Sequence, residues 1–91
     1  MDYKVTIKET NGEQEYYNDF IIEAVDLKKA QEMAEKEAKK WYGGEGVKHD
    51  YNIYWFLDGV VAVMVEGVEE TNAKKYYNQH KRNYRIWYLK P

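Results

Sequence analysis

Tyr51–Glu66 reads YNIYWFLDGVVAVMVE, two apolar runs joined by Asp58-Gly59, and it is the strongest structural signal in the chain. Asp-Gly between apolar runs predicts a β-hairpin, because a type I′ turn needs a positive φ at both central positions. A two-residue loop then sets the pairing of the two strands, so we expect Trp55 to lie opposite Ala62.

Both faces of this predicted hairpin are mostly apolar, although one layer of helices covers only one face of a sheet. The face expected to meet the helices carries Tyr54, Phe56, Val61, Val63 and Val65. The outer face carries Tyr51, Ile53, Trp55, Leu57, Val60, Ala62 and Met64. A further layer of the same chain, a second copy or a different protein must cover the outer face.

The first residues of the chain predict another hairpin. Tyr3–Lys8 alternates apolar and polar residues, as a half-buried strand does, and Asn11-Gly12 marks the turn that follows. Pairing Thr10 with Glu13 brings the apolar residues of both strands to one face. The turn signal and the burial pattern therefore agree on this register.

A helix is predicted over Leu27–Tyr42. Asp26 is a typical N-cap residue, and Gly43 suits the C′ position, where a positive φ ends a helix. The apolar residues between them recur at helical spacing and form an inner stripe of Leu27, Ala30, Ala34, Ala38 and Trp41. The segment Phe20–Ala30 matches Val63–Ala73 in its Glu, Val and Ala positions and in its apolar pattern. This match predicts an internal duplication, although two short segments can also agree by chance.

The predicted fold class is α+β, an antiparallel sheet with two helices in the order ββα-ββα-β. The second helix would begin near Glu69 or Glu70, where acidic residues suit the positive end of the helix dipole. Its inner stripe would consist of Ala73, Tyr76, Tyr77 and His80. Tyr84–Leu89 would form the last strand.

Length and composition predict a single domain over residues 1–91 in the cytoplasm. The chain is 44% hydrophobic and 16% aromatic, which is too apolar for a disordered protein. It has no cysteine, and its first residues lack the apolar segment of a secretory signal. No membrane span is expected, because the longest apolar stretch, Ile53–Val65, is interrupted by Asp58-Gly59.

The residue types in the sequence do not favour a catalytic site or a metal site. The chain has neither Cys nor Ser, so a nucleophile would have to be a threonine activated by His49 or His80. No residues cluster at a spacing typical of a metal site, and His49-Asp50 near Glu45 fits a solvated turn better. We therefore expect no enzyme activity, no metal and no cofactor.

Charge is distributed unevenly along the chain. Residues 72–91 contain six basic residues and no acidic one, whereas residues 1–71 contain 8 basic and 16 acidic residues. The basic segment either docks on the acidic body or binds a polyanion. In the second case the residues that contact nucleic acid would be Lys74, Lys75, Lys81, Arg82, Tyr84, Arg85 and Trp87.

The interleaved cations and aromatic residues of His80–Tyr88 are typical of proteins that bind single-stranded nucleic acid. His80, beside two cations, would be the acid or base of an RNA-cleaving site. Tyr84–Tyr88 resembles the closing strand of RelE-type toxin ribonucleases, although the order of elements differs from that family. The simpler interpretation is an amphipathic last strand.

The outer face of the central hairpin leads to the functional prediction. Aromatic residues and methionine with few charges are typical of interface cores. We predict a small non-enzymatic binding protein that associates with itself or with a protein partner through Tyr51, Ile53, Trp55, Leu57 and Met64. In composition the chain resembles accessory proteins of phages and mobile elements, which include inhibitors of host defence such as anti-CRISPR proteins. Nucleic-acid binding through the basic segment is the alternative.

Overall fold

Three long strands and one helix form most of the structure. The computed structural model describes residues 1–43, 47–48, 53–72 and 86–89, and it describes 47–48 and 86–89 by their backbone alone. The elements in chain order are β1 (Asp2–Asn11), β2 (Gln14–Glu23), α1 (Leu27–Lys39), β3 (Val47–Lys48), β4 (Tyr54–Phe56), β5 (Val61–Thr71) and β6 (Ile86–Leu89). The described strands form one sheet in the order β3-β4-β5-β1-β2-β6. The predicted α+β class is confirmed, and the pairings among β1, β2, β3, β4 and β5 are antiparallel as predicted.

The hairpin of β1 and β2 turns at Gly12-Glu13 instead of the predicted Asn11-Gly12. Gly12 has a φ of +62°, and a positive φ at the first central position is typical of a type II′ turn. Thr10 lies opposite Glu15, so the predicted pairing with Glu13 is wrong by two residues. Because side chains alternate every two residues along a strand, this error leaves the same residues on each face.

The helix α1 begins as predicted and ends earlier. Asp26 caps it, since its Oδ1 accepts a hydrogen bond at 2.8 Å from the backbone N–H three residues further on. The helix ends at Lys39, three residues before the predicted approximate end at Tyr42. Gly43 has the expected positive φ, +78°, but its N–H bonds to the carbonyl of Lys40 at 2.8 Å and closes a separate turn after the helix.

The core lies between α1 and one face of the sheet. Its largest fully buried side chains are Val5, Ile7, Phe20, Ile22, Val61 and Val63. The helix contributes Ala30, Ala34 and Ala38, none of which is exposed. Small residues at this spacing form a flat stripe that allows close packing, and α1 packs mainly against β5.

The predicted second helix does not begin at Glu69 or Glu70, because β5 continues to Thr71. Glu69 lies opposite Lys4 in the sheet, and a salt bridge of 3.0 Å joins their side chains. Long-range pairing with β1 thus overrides the local helix signal. The internal duplication is not confirmed. All residues of the predicted inner stripe of this helix lie outside the described residues, namely Ala73, Tyr76, Tyr77 and His80.

A β-bulge interrupts the pairing of β5 with β1. The register shifts between Thr6 and Ile7, and Glu66 is the extra residue on β5. The extra residue moves the alternation by one position, so that Val65 and Val68 both pack against the core. The bulge therefore keeps these two valines on the same face of the sheet, although their spacing does not fit a regular strand.

The last described strand, β6, pairs with Asp19–Ile22 of β2 in parallel orientation. The sequence predicts a strand over Tyr84–Leu89, and its portion Ile86–Leu89 is a strand. Tyr84 and Arg85 lie outside the described residues. The parallel orientation differs from the antiparallel pairing that the sequence predicts for the whole sheet.

Candidate protein-binding site at the central hairpin

The central hairpin, formed by β4 and β5, has the register that the sequence predicts. Trp55 lies opposite Ala62, and Tyr54 lies opposite Val63. The residues predicted to face the helix are buried or partly buried, namely Tyr54, Phe56, Val61, Val63 and Val65. The orientation of this hairpin relative to the core is therefore confirmed.

The turn of the hairpin contains four residues instead of the predicted two. The φ angles are +52° at Leu57, +56° at Asp58 and +85° at Gly59. Two backbone hydrogen bonds close the turn, from Gly59 N–H to the Phe56 carbonyl at 3.1 Å and from Val60 N–H to the Leu57 carbonyl at 3.2 Å. The positive φ expected at Asp58 and Gly59 is present, and Leu57 extends the left-handed stretch by one residue.

Leu57 holds a backbone conformation that costs free energy. The left-handed region costs a residue with a Cβ atom roughly 1–2 kcal/mol, which is why glycine usually occupies it. Leu57 is 63% exposed and Val60 is 59% exposed, so burial in this chain compensates little of that cost. We refer to Leu57 and Val60 as the hairpin tip. Backbone strain beside exposed aliphatic side chains is more typical of a functional site than of a folding requirement.

Next to the hairpin tip, the outer face of β4 and β5 is apolar and half-buried. Ile53, Trp55 and Met64 share this face and are of intermediate exposure. Three of the five predicted contact residues therefore share this face, and the fourth, Leu57, lies in the turn directly after β4. The fifth, Tyr51, lies outside the described residues.

The same face of the sheet is mostly polar along β1 and the first half of β2, although Ile21, opposite Lys4, is an apolar and buried residue of that face. Lys8 Nζ lies 3.4 Å from Glu15 Oε1. Thr6 donates its hydroxyl hydrogen to Asp19 Oδ1 at 2.7 Å. The contrast that the sequence predicts between a charged outer face on the first hairpin and an apolar one on the central hairpin is thus present.

Two aromatic contacts hold the base of the hairpin in place. Tyr54 donates its hydroxyl hydrogen to Glu35 Oε2 at 2.8 Å. Burial, this hydrogen bond and the charge of Glu35 together raise the pKa of Tyr54 to about 12. The ring of Phe56 meets Tyr42 edge-on, with ring centroids 5.2 Å apart. The hairpin tip therefore projects from a base that is packed against the helix and the turn after it.

The contact of Tyr54 with Glu35 predicts a loss of stability in alkaline solution. The pKa of Tyr54 is about 12 in the folded chain, compared with the ordinary tyrosine value of 10.0. Its contribution is therefore complete below about pH 10 and is lost as the pH rises towards about 12, where the tyrosinate would face the glutamate. Urea denaturation over this pH range should show the free energy of unfolding falling less steeply in Tyr54→Phe than in the unmodified chain.

At neutral pH the same variant should be less stable by about 1 kcal/mol, because it lacks the hydrogen bond to Glu35. If the free energy of unfolding falls equally steeply in both proteins between about pH 10 and 12, Tyr54 does not titrate in that range. Absorbance measured during an alkaline titration should agree with this. In Tyr54→Phe, one fewer tyrosine should ionise at the alkaline end of the titration.

Other kinds of site have little support in the described part of the chain. Among its residues, no group of three His, Asp or Glu side chains could hold a metal ion. The helix within it has neither the length nor the apolarity needed to cross a membrane. Of the predicted nucleic-acid contacts, only Trp87 falls within it, as a backbone position of β6. The others lie outside it: Lys74, Lys75, Lys81, Arg82, Tyr84 and Arg85.

The predicted contact set omits Val60, which the structure shows to be the second exposed residue of the hairpin tip. A sequence signal for it existed, because apolar residues flank Asp58-Gly59 directly where turns are usually polar. The sequence did not predict the left-handed conformation of Leu57, because that conformation arises only when the turn has four residues instead of two.

Comparison with known proteins finds no matching family model, no similar curated protein and no similar solved structure. The case for a function therefore depends on the geometry of this chain alone.

Proposed function

We propose that this chain is a small non-enzymatic binding protein that uses the hairpin tip and the adjoining outer face to contact a protein. The observation that carries the proposal is the combination at Leu57 of a left-handed backbone and a side chain that is 63% exposed. A chain selected for stability alone would favour glycine or asparagine at that position.

The chemistry of the surface indicates what kind of partner it suits. Leu57 and Val60 are aliphatic, and they adjoin Trp55 and Met64 on the outer face. These four side chains match an apolar recess in a protein, and none of them is a cation that could contact a phosphate. An inhibitor of the kind that the composition resembles would use the surface in the same way, by covering part of its target.

A second copy of the chain is the first partner to test, because a two-fold contact would bury the same apolar patch twice. The test substitution is Val60→Asp, and the matched control is Val25→Asp, since Val25 is 80% exposed and lies before α1, outside the hairpin. Sedimentation over a wide concentration range should show Val60→Asp weakening association by about tenfold or more. The control should associate like the unmodified chain.

A photo-crosslinking residue placed at position 60 tests a second copy and a different protein in one experiment. Adducts should form at position 60 and be absent when the same residue is placed at position 25. Leu57→Asp should abolish the adducts without changing the circular dichroism spectrum. Equal adducts at both positions, or none at position 60 in cells and at high protein concentration, would contradict the proposal.

Nucleic-acid binding is the second candidate, and one observation favours it. Residues 72–91 contain six basic residues and no acidic one. Contacts between these cations and phosphates would make the affinity fall steeply as salt is added. We expect an oligonucleotide titration to detect binding at low salt if this function is correct, and its absence there would eliminate the candidate.

A further inference from the structure

Among the described residues, β4 covers only a short part of the side of β5 that faces away from β1. The strand β4 pairs with β5 only at Val61–Val63. From Met64 to Thr71, β5 has β1 on one side and no neighbouring strand within the described residues on the other. This open edge extends about 25 Å at the usual rise of a strand.

A groove of about 690 Å³ runs between this edge and α1. Its helix side is formed by Lys28, Gln31, Glu32 and Glu35. Its strand side is formed by Val65–Val68. Because Val65 and Val68 pack against the core, they give the groove an apolar floor beside the backbone of the edge.

The backbone of the edge offers hydrogen bonds to an incoming strand. In an antiparallel strand, every second residue directs its N–H and C=O away from the neighbour with which it is paired. Exposed edges of this kind are templates for another extended segment, and a groove beside a helix is a common setting for such recognition. The dimensions suit a peptide of about five to seven residues.

The charge around the groove selects among partners. The lining has three acidic residues, Glu32, Glu35 and Glu66, against Lys28 alone. Glu70 lies further along the same strand, whereas Glu69 pairs with Lys4 at 3.0 Å and Glu32 pairs with Lys29 at 3.7 Å. Like charges would repel the same edge of a second copy, whereas a basic segment would be attracted.

We infer that the groove between α1 and the open edge of β5 binds an extended, lysine- or arginine-containing segment of a protein partner, which adds to the sheet as a strand beside β5. This surface is separate from the hairpin tip. The inference therefore goes beyond the proposed function, and either can fail without the other.

The probe is a fluorescein-labelled peptide of alternating lysine and valine, acetylated and amidated at its ends. Fluorescence anisotropy with the full chain at low salt should show saturable binding. The same peptide N-methylated at alternate residues keeps its charge and side chains but loses backbone donors. It should bind about tenfold more weakly or worse, because strand addition depends on main-chain hydrogen bonds.

Two variants of the chain test the location of binding. Glu32→Lys reverses a charge in the groove, and Glu13→Lys makes the same change in the exposed turn between β1 and β2. Glu32→Lys should weaken binding of the alternating peptide by about fivefold to tenfold, and Glu13→Lys should change it far less. Val60→Asp should leave it unchanged, which separates this groove from the hairpin tip.

Several outcomes would overturn the inference. Equal binding of the N-methylated peptide would mean that charge alone attracts the probe. Equal weakening by Glu32→Lys and Glu13→Lys would place the peptide elsewhere. Cross-strand contacts from Val65–Thr71 to another part of the same chain, or to a second copy, in nuclear magnetic resonance spectra of the unliganded protein would mean that the edge is already occupied. Absence of binding at low salt would also overturn it.

Discussion

Phe20→Ala is expected to lower the free energy of unfolding by about 3–5 kcal/mol, because it removes a large aromatic side chain from a close-packed core. Phe20 is 1% exposed, lies opposite Val5 in the sheet, and stacks on Trp41 with ring centroids 6.4 Å apart. The substitution therefore leaves a cavity where β1, β2 and the turn after α1 meet. Chemical denaturation followed by circular dichroism measures the loss.

The matched control for this prediction is Tyr17→Ala on the same strand. Tyr17 is 52% exposed and donates a hydrogen bond to Glu15, so its removal should cost no more than about 1 kcal/mol. If Phe20→Ala unfolds the chain entirely, Phe20→Leu provides a graded measurement of about 1–2 kcal/mol. Similar losses for Phe20→Ala and Tyr17→Ala would contradict the assignment of Phe20 to the core.

Leu57→Gly is expected to raise the stability of the fold and to weaken association. Glycine adopts a φ of +52° without the Cβ clash that leucine suffers, so the free energy of unfolding should rise by about 0.5–1 kcal/mol. The same change removes an exposed aliphatic side chain from the hairpin tip. If that side chain is a central anchor of the contact, its loss should lower the affinity by about 30-fold.

Leu57→Val separates backbone strain from the loss of side-chain contact. Valine is branched at Cβ and tolerates the left-handed region less well than leucine, so this variant should be less stable than the unmodified chain. It keeps an aliphatic side chain at the hairpin tip and should retain more of the affinity than Leu57→Gly. Denaturation and sedimentation of both variants provide the comparison.

A stabilised Leu57→Gly variant that associates normally would show that the strain at this turn serves no binding function. A destabilised Leu57→Gly variant would show instead that the leucine side chain contributes to the fold. Either result would remove the observation on which the proposed protein-binding function depends.

Short-range patterns were sufficient where the local sequence has one clear solution. The Asp26 cap and the Ala30, Ala34 and Ala38 stripe predicted the helix start and its buried face. The register of the central hairpin followed from Asp58-Gly59 and from the alternation beside it. These features depend on neighbours within a few residues, which the sequence displays directly.

Turn geometry was less predictable than strand pairing. The loop at Gly12 could shift the register by two residues without moving any side chain to the other face, so the burial pattern could not detect the error. The same argument applies to the central turn, where a loop of two or four residues preserves the pairing of Trp55 with Ala62. The strain at Leu57 follows from that choice of loop.

The chain's apolar pattern, caps and turn residues were enough to establish an α+β fold, the helix over its alanine stripe and an apolar outer face on the central hairpin. Whether Glu69 and Glu70 start a helix or extend a strand depended on β1, a partner more than 60 residues earlier in the chain. The bulge at Glu66 depends on the same partner. Pairing between distant segments outweighs local propensity here because it satisfies a long row of backbone hydrogen bonds and buries Val65 and Val68 at once.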